Sequence, residues 1–138
     1  MDEKPHVRVV AAEIQRDGLY LITQRRESAV LPLLWEFPGG RVEEGEADAE
    51  ALRRELRGRL GVDVLVGDLA LHVAHEYDRY VLDLMVYRAE LRAGEPQART
   101  VRDLRWVRPE ELANFQFPGA DQQTVDALLA ETAPTRRA

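Results

Sequence analysis

Residues 47–60 constrain the fold most, because their apolar side chains recur at the spacing of an α-helix. The apolar positions on one side of that helix are Ala49, Leu52, Leu56 and Leu60. Gly61 follows directly, where a glycine commonly adopts the left-handed conformation that ends a helix. We therefore predict an amphipathic helix over 47–60 that packs its leucine stripe against a core.

Segments rich in β-branched and aromatic residues lie on both sides of this helix. The predicted strands span 7–14, 19–24, 62–73, 80–91 and 104–107, with a short extended piece at 35–37. A tight turn at 16–18 joins the first two strands as a hairpin, and Asp121 is placed to cap a final helix. The pattern predicts an α+β domain, an α/β/α sandwich with helices on both faces of a mixed sheet.

Composition indicates one globular domain. The chain has 138 residues, of which 45% are hydrophobic and 32% charged, so we expect one domain over 1–138 with a polar frayed tail at 133–138. The absence of cysteine excludes a disulfide framework, a thiolate nucleophile and a cysteine-ligated metal.

Charge and hydropathy exclude two further classes. A formal net charge of −6 argues against general binding to nucleic-acid backbones, which requires a basic surface. No run of residues approaches the roughly 20 apolar positions that span a bilayer, and the start of the chain lacks a basic stretch leading into an apolar run. We therefore expect a cytoplasmic protein with no membrane role.

Residues 40–62 read GRVEEGEADAEALRRELRGRLGV, a segment that resembles the signature of the Nudix family. That signature is G-x5-E-x7-R-E-U-x-E-E-x-G-U, where U is a bulky apolar residue. The matching positions, seven of the nine that are fixed, are Gly40, Glu46, Arg54, Glu55, Leu56, Gly61 and Val62. The preceding LWEFPGG is similar to the lead-in of the mutator-type (MutT-like) branch, which hydrolyses nucleoside triphosphates to monophosphate and pyrophosphate. The resemblance covers nearly the whole chain and implies the Nudix fold.

The resemblance also implies a metal site on the predicted helix. In the family, helix glutamates and a backbone carbonyl of the Gly-Gly turn hold magnesium or manganese ions that bridge the diphosphate and activate water. By resemblance, Gly39 and Glu55 are the metal ligands. Glu46, Arg54 and Glu55 are the catalytic residues, with Arg54 orienting the glutamates.

Two positions depart from the signature, because Gly58 and Arg59 stand where the family has adjacent glutamates. Residues three and four apart on a helix are neighbours, so positions 55, 58 and 59 form one cluster in which only Glu55 is acidic. A cationic Arg59 opposes a metal ion beside it. The loop at 97–101, where the family often has a further acidic ligand, contains no carboxylate. We therefore predict weakened metal binding.

Three interpretations of these two residues stay open. Glu55 and Arg59 form only a solvated ion pair, or Arg59 takes the place of the metal and binds a phosphate directly. In the third, residual metal binding still supports slow hydrolysis.

Other residues are candidate ligand contacts by resemblance to the mutator-type branch. Arg25 and Arg79 would reach phosphate or base, Phe117 would stack, and Asp121 would accept a hydrogen bond from a base edge. The structural alternatives are surface charges for the arginines, a core position for Phe117 and a helix cap for Asp121.

The sequence thus leaves three hypotheses. The first is a module that binds a nucleotide or other phosphorylated small molecule, with hydrolysis weakened or lost. The second is an active nucleoside triphosphate pyrophosphohydrolase that uses magnesium or manganese and acts on substrates that include oxidised nucleotides. The third is a protein-interaction module, or a homodimer, with an empty pocket and no cofactor.

Overall fold

The first strand, β1 (His6–Arg16), lies at the centre of a mixed sheet in the computed structural model, which describes residues 3–132. Along one side it runs parallel to β6 (Val81–Ala93). Along the other it pairs antiparallel with β2 (Leu19–Gln24) and with β4 (Gly39–Arg41). The predicted hairpin of β1 and β2 is thereby confirmed.

The remaining elements extend this sheet and cover it. They are β3 (Trp35–Glu36), α1 (Asp48–Leu60), β5 (Asp63–Glu76), β7 (Asp103–Val107), a 3-10 helix (Pro109–Asn114) and α2 (Gly119–Thr132). Strand β5 pairs with β6 at one edge, whereas β3 and β7 both pair with β2. The expected tail at 133–138 lies outside the described residues. No helix within residues 3–132 is long and apolar enough to cross a membrane.

Helix α1 forms where the apolar spacing predicts it. Its fully buried leucines are Leu52, Leu56 and Leu60. They belong to one core cluster with Val10 and Ile14 of β1. Gly61 ends the helix in the left-handed conformation, with φ of 71°, and its N–H donates to the carbonyl of Arg57.

Helix α2 covers the opposite face of the sheet. Neighbouring residues of a strand point to opposite faces, so Ala11 faces away from the α1 side. Ala11 and Val86 join Val125 and Leu128 of α2 in a second core cluster. Both faces are covered, and the predicted α/β/α sandwich around a mixed sheet is confirmed.

The prediction that Asp121 caps the last helix is wrong. Helix α2 begins at Gly119, and the N–H of Gln122 donates to the carbonyl of Pro118 over 2.8 Å. The cap is the residue whose carbonyl accepts the first helical hydrogen bond, so Pro118 has that position. Asp121 therefore lies within the first turn, where its side chain is buried.

Candidate functional site

A cavity of about 550 Å³, hereafter the first cavity, opens on the α2 face of the sheet. Its apolar lining includes Val7 and Val9 of β1 with Leu82 and Leu84 of β6, their register partners. Four of the five residues predicted to contact ligand also line it, namely Arg25, Arg59, Arg79 and Asp121. The fold thus gathers at one cavity side chains that are distant in sequence.

Phe117, the fifth of these residues, is not among those that line the first cavity. Its ring stacks on Phe37, with centroids 6.0 Å apart, and packs against the second core cluster. Phe37 itself lines the cavity. The structure therefore places Phe117 behind the cavity wall, as the alternative of a core position expects.

The sequence reasoning missed three further residues of the first cavity, Glu36, Tyr77 and Tyr80. The N–H of Tyr77 donates to the carbonyl of Tyr80 over 2.8 Å and closes the turn between β5 and β6, which also contains Arg79. The two tyrosine rings lie 5.1 Å apart. The sequence signal that could have identified the tyrosines is their position on either side of Arg79, a residue predicted to contact the ligand.

At one end of the first cavity, Asp121 is a buried carboxyl group with 8% of its surface exposed. Burial raises its pKa to about 8, and the negative charge of Glu36 acts in the same direction. The backbone N–H of Phe37 and the charge of Arg25 oppose this rise. Arg25 is itself bound to Glu36 over 2.9 Å. Asp121 is thus mostly protonated near neutral pH and has a proton to donate.

At the other end, two glycines bring β4 against β1 and α1. A Cβ at Gly39 would overlap the backbone carbonyl of Val10 in the neighbouring strand. A Cβ at Gly40 would overlap the carboxylate of Glu55. The Gly-Gly turn therefore lets the Glu55 carboxylate lie directly against backbone, so the structure brings together the turn and the helix glutamate that the resemblance assigns to a metal.

Arg54 connects the two glutamates of this end. Its Nε and Nη2 donate to the Glu46 carboxylate over 2.8 and 2.9 Å, and its Nη1 donates to Glu55 over 2.9 Å. A fourth bond runs to the carbonyl of Arg41. The Arg54 guanidinium lowers the pKa of Glu46 to about 2, and Glu46 in turn raises the pKa of Arg54. Arg54 thus binds both glutamates, and the orienting role that the resemblance implies for it stays a prediction.

Arg59 binds the second oxygen of Glu55. Its Nε donates to Oε2 over 2.6 Å, while Arg54 donates to Oε1. Both oxygens of the carboxylate therefore face guanidinium groups. The ion pair expected from the i,i+4 spacing is present, and it occupies an oxygen of the glutamate that the resemblance assigns to a metal.

The loop before β7 lies at the end of the same helix. The N–H groups of Arg99 and Thr100 both donate to the carbonyl of Arg59, at 3.1 and 3.3 Å. The Arg99 side chain lies beside Gly61. By resemblance, Thr100 stands where the family often has a further acidic ligand, and the loop at 97–101 supplies no carboxylate beside the helix end.

The residues present do not fit the family's divalent metal ions. Magnesium and manganese need several oxygen ligands around one point. Within the part of the chain that the structure describes, no group of three or more histidine, aspartate or glutamate residues is arranged to hold a metal ion. Arg54 and Arg59 have taken up the oxygens of Glu55, and Arg54 those of Glu46.

Sequence comparisons match the chain to one protein family. The model of the NUDIX domain family matches residues 9–127. The chain is 36% identical to the CTP pyrophosphohydrolase of Escherichia coli K12 over 124 residues, which are 90% of this chain and 92% of that relative. It is 33% identical to the 8-oxo-dGTP diphosphatase of Haemophilus influenzae over 131 residues, covering 94% and 96% of the two chains.

Solved structures show the same fold. The E. coli ORF135 protein superposes with a TM-score of 0.81 at 34% identity, over 94% of this chain and 93% of that one. The MutT protein of Methanosarcina mazei superposes with a TM-score of 0.86 at 23% identity, over 97% and 100%. With the family model, these matches show that the chain belongs to the Nudix family and is MutT-like within it.

Proposed function

We propose that the protein binds a nucleotide, or a similar phosphorylated ligand, in the first cavity. Its hydrolase activity is weakened or lost because Gly58 and Arg59 replace metal-binding glutamates. The proposal rests chiefly on one observation, the 2.6 Å contact between Arg59 Nε and the Glu55 carboxylate.

The charge balance around this contact supports the proposal. Glu46 and Glu55, with Glu43 at 3.8 Å from Arg54, contribute three negative charges, and Arg54 and Arg59 contribute two positive ones. A divalent cation placed among them would meet two positive charges and compete with hydrogen bonds already formed to the carboxylates of Glu46 and Glu55. A phosphate needs hydrogen-bond donors instead, and guanidinium groups supply them.

Arg59 has donors left for a phosphate. Its Nε binds Glu55, and among residues 3–132 its terminal nitrogens donate to no other side chain or carbonyl. Arg59 lines the first cavity, so those nitrogens are accessible to a ligand. Guanidinium groups bind phosphate oxygens in pairs, and Arg59 would therefore hold the phosphates that a metal holds in other members.

The rest of the cavity has the character of a nucleoside site. Its volume of about 550 Å³ is in the range of small-molecule sites. Tyr77, Tyr80 and Phe37 supply aromatic surface, and Asp121 supplies a polar group for a base edge. Arg25 and Arg79 remain candidates for phosphate or base contacts.

The names of the relatives favour a second candidate, an active pyrophosphohydrolase. In that case Glu55, the Gly39 carbonyl and loop glutamates would hold magnesium or manganese, and the ion pair between Arg59 and Glu55 would have to open. The two candidates predict opposite results in a turnover assay.

The experiment measures pyrophosphate and phosphate release from nucleoside triphosphates, including CTP and 8-oxo-dGTP, with magnesium or manganese. The wild type is compared with the double variant Gly58→Glu/Arg59→Glu, which restores the family's glutamates. A Cβ at Gly58 would meet no atom within 4 Å, so the first substitution has room. Arg53→Glu, on the exposed side of the same helix, controls for added negative charge.

We expect slow or no turnover by the wild type and Arg53→Glu, and faster metal-dependent turnover by the double variant. Isothermal titration in EDTA should at the same time show nucleotide binding by the wild type. Turnover by the wild type at an ordinary enzymatic rate would establish the second candidate. Absence of both turnover and binding would overturn the two together and leave the protein-interaction hypothesis.

A further inference from the structure

A second cavity, of about 410 Å³, lies at the other end of α2. The residues that define it are Glu13, Tyr20, Asp68, Arg88, Glu90 and Glu131. None of them belongs to the segment 40–62 or to the first cavity. The second cavity is therefore separate from the site of the proposed function.

The sheet register explains why these residues meet. Glu13 of β1 is the register partner of Arg88 in the parallel pair with β6. Tyr20 of β2 lies opposite Gln15, two residues along β1 from Glu13 and on the same face. Strand β5 is irregular between Val66 and Leu69, and this irregularity contributes Gly67 and Asp68 to the wall. Glu131, in the last turn of α2, completes the cavity from above.

Glu13 is the unusual group in this cavity. Its residue surface is 7% exposed, and within residues 3–132 its carboxyl group forms no hydrogen bond and no ion pair. Burial raises its pKa, Glu131 adds to the rise, and Arg88 opposes it. Within residues 3–132 the side-chain oxygens that are wholly buried without a partner are those of Thr23 and Thr124, so the Glu13 carboxyl group still opens onto the cavity, where a ligand can donate to it. The hydroxyl of Tyr20, 9% exposed as a residue, also has no partner among the described residues.

Charge identifies the kind of partner that would satisfy Glu13. Four carboxyl groups line the cavity, against the single guanidinium of Arg88. That guanidinium already donates to Glu131 over 2.9 Å. The cavity therefore has surplus acceptors and negative charge, so it favours a cation with N–H donors and disfavours an anion. Leu65, 46% exposed, offers apolar surface for a short alkyl chain.

We propose that the second cavity binds a small alkylammonium ion, whose N–H groups donate to the Glu13 carboxylate while its alkyl chain packs on Leu65. Glu131 would keep Arg88 away from Glu13 and so hold the carboxylate free for the ligand.

The test titrates n-butylammonium, putrescine and the neutral n-butanol into 15N-labelled protein and follows backbone amide shifts. Both amines should give saturable shifts centred on residues 13–15, 67–68 and 88–90, and n-butanol should give none. Glu13→Gln keeps the shape of the side chain and removes its charge. It should weaken binding about 10-fold or more, the usual effect of losing a hydrogen bond to a charged group. Glu110→Gln makes the same charge change on the exposed 3-10 helix and should leave affinity within about 2-fold.

Glu131→Gln gives a second test at an exposed position, where the side chain is 54% exposed and pairs with Arg88. It frees Arg88 to pair with Glu13, so amine affinity should fall. The proposal is overturned if Glu13→Gln and Glu131→Gln bind the amines as tightly as the wild type. It is equally overturned if Glu110→Gln weakens binding as much as they do, or if n-butanol binds as well as n-butylammonium.

Discussion

Carboxyl groups in and beside the first cavity are controlled in opposite ways. At the arginine end, formed by Glu46, Arg54, Glu55 and Arg59, Arg59 lines the cavity and the other three lie beside the Gly-Gly turn. There guanidinium groups bind the carboxylates, and the pKa of Glu46 falls to about 2. At the other end, burial raises the pKa of Asp121 to about 8. Ion pairing fixes the charge at the first end, whereas burial removes it at the second. The same ligand would therefore meet fixed charges at one end and a protonated carboxyl group at the other.

Replacing Asp121 should have the largest effect, on the pH dependence of stability. Its pKa is about 8 in the folded protein against an ordinary 3.8. Between these values the folded protein keeps a proton that the unfolded chain releases, so the free energy of unfolding falls as pH rises. The slope is at most about 1.4 kcal/mol per pH unit. Asp121→Asn cannot ionise and should lack this contribution.

Urea unfolding of both proteins at pH 5, 6, 7 and 8 measures the difference. Glu13, whose pKa is also raised, contributes to the slope of both proteins alike, so the difference between them isolates Asp121. Parallel stability curves would mean that Asp121 is ionised in the folded protein, and the contrast between the two ends would disappear.

Only the arginine end of this contrast could be predicted from the sequence. The helix at 47–60, its leucine stripe and the Gly61 cap could be predicted, because local spacing determines them. The pairing of Glu55 with Arg59 could also be predicted, since i,i+4 neighbours meet on any helix. These predictions succeed because they concern residues that are close together in sequence on one helix.

The Asp121 end depends on contacts between distant segments. Asp121 looked like a helix cap, but Pro118 takes that position and turns Asp121 into the cavity beside Glu36. Glu36 lies on a two-residue strand whose face is set by its pairing with β2. No local pattern encodes that pairing or the burial it produces, so the raised pKa was beyond sequence reasoning.

Removing Arg59 should have the next largest effect, on nucleotide affinity. With metal removed by EDTA, Arg59→Ala should bind CTP or 8-oxo-dGTP about 10- to 100-fold more weakly, the usual cost of losing charge-assisted hydrogen bonds. Isothermal titration measures the change. Arg53→Ala, an exposed position on the same helix, should bind like the wild type. Equal affinity of Arg59→Ala and wild type would show that the arginine end does not hold the phosphates.

Gly58→Ala should stabilise the protein by about 1 kcal/mol, because a glycine inside an exposed helix costs about that much relative to alanine. A Cβ there would meet no atom within 4 Å. Gly39→Ala is the matched opposite, since its Cβ would overlap the backbone carbonyl of Val10 and should lower stability. Thermal unfolding distinguishes them by sign. Loss of stability in Gly58→Ala would mean that the helix needs a glycine for a reason other than space.

Glu46→Gln should have the smallest effect, because the Glu46 contact with Arg54 lies near solvent, which screens it. The pKa of Glu46 is lowered to about 2 from an ordinary 4.5, so its contribution to stability is complete above about pH 4.5 and is lost as pH falls toward 2. The urea midpoints of wild type and Glu46→Gln should therefore differ at pH 6 and converge near pH 2. This trend is the reverse of that for Asp121→Asn, whose difference from the wild type grows as pH rises. Glu44→Gln, on the same exposed loop, should match the wild type throughout. If the urea midpoints of wild type and Glu46→Gln still differed at pH 2, the difference would come from packing and not from charge. Ion pairing would then not control the carboxylates of the arginine end.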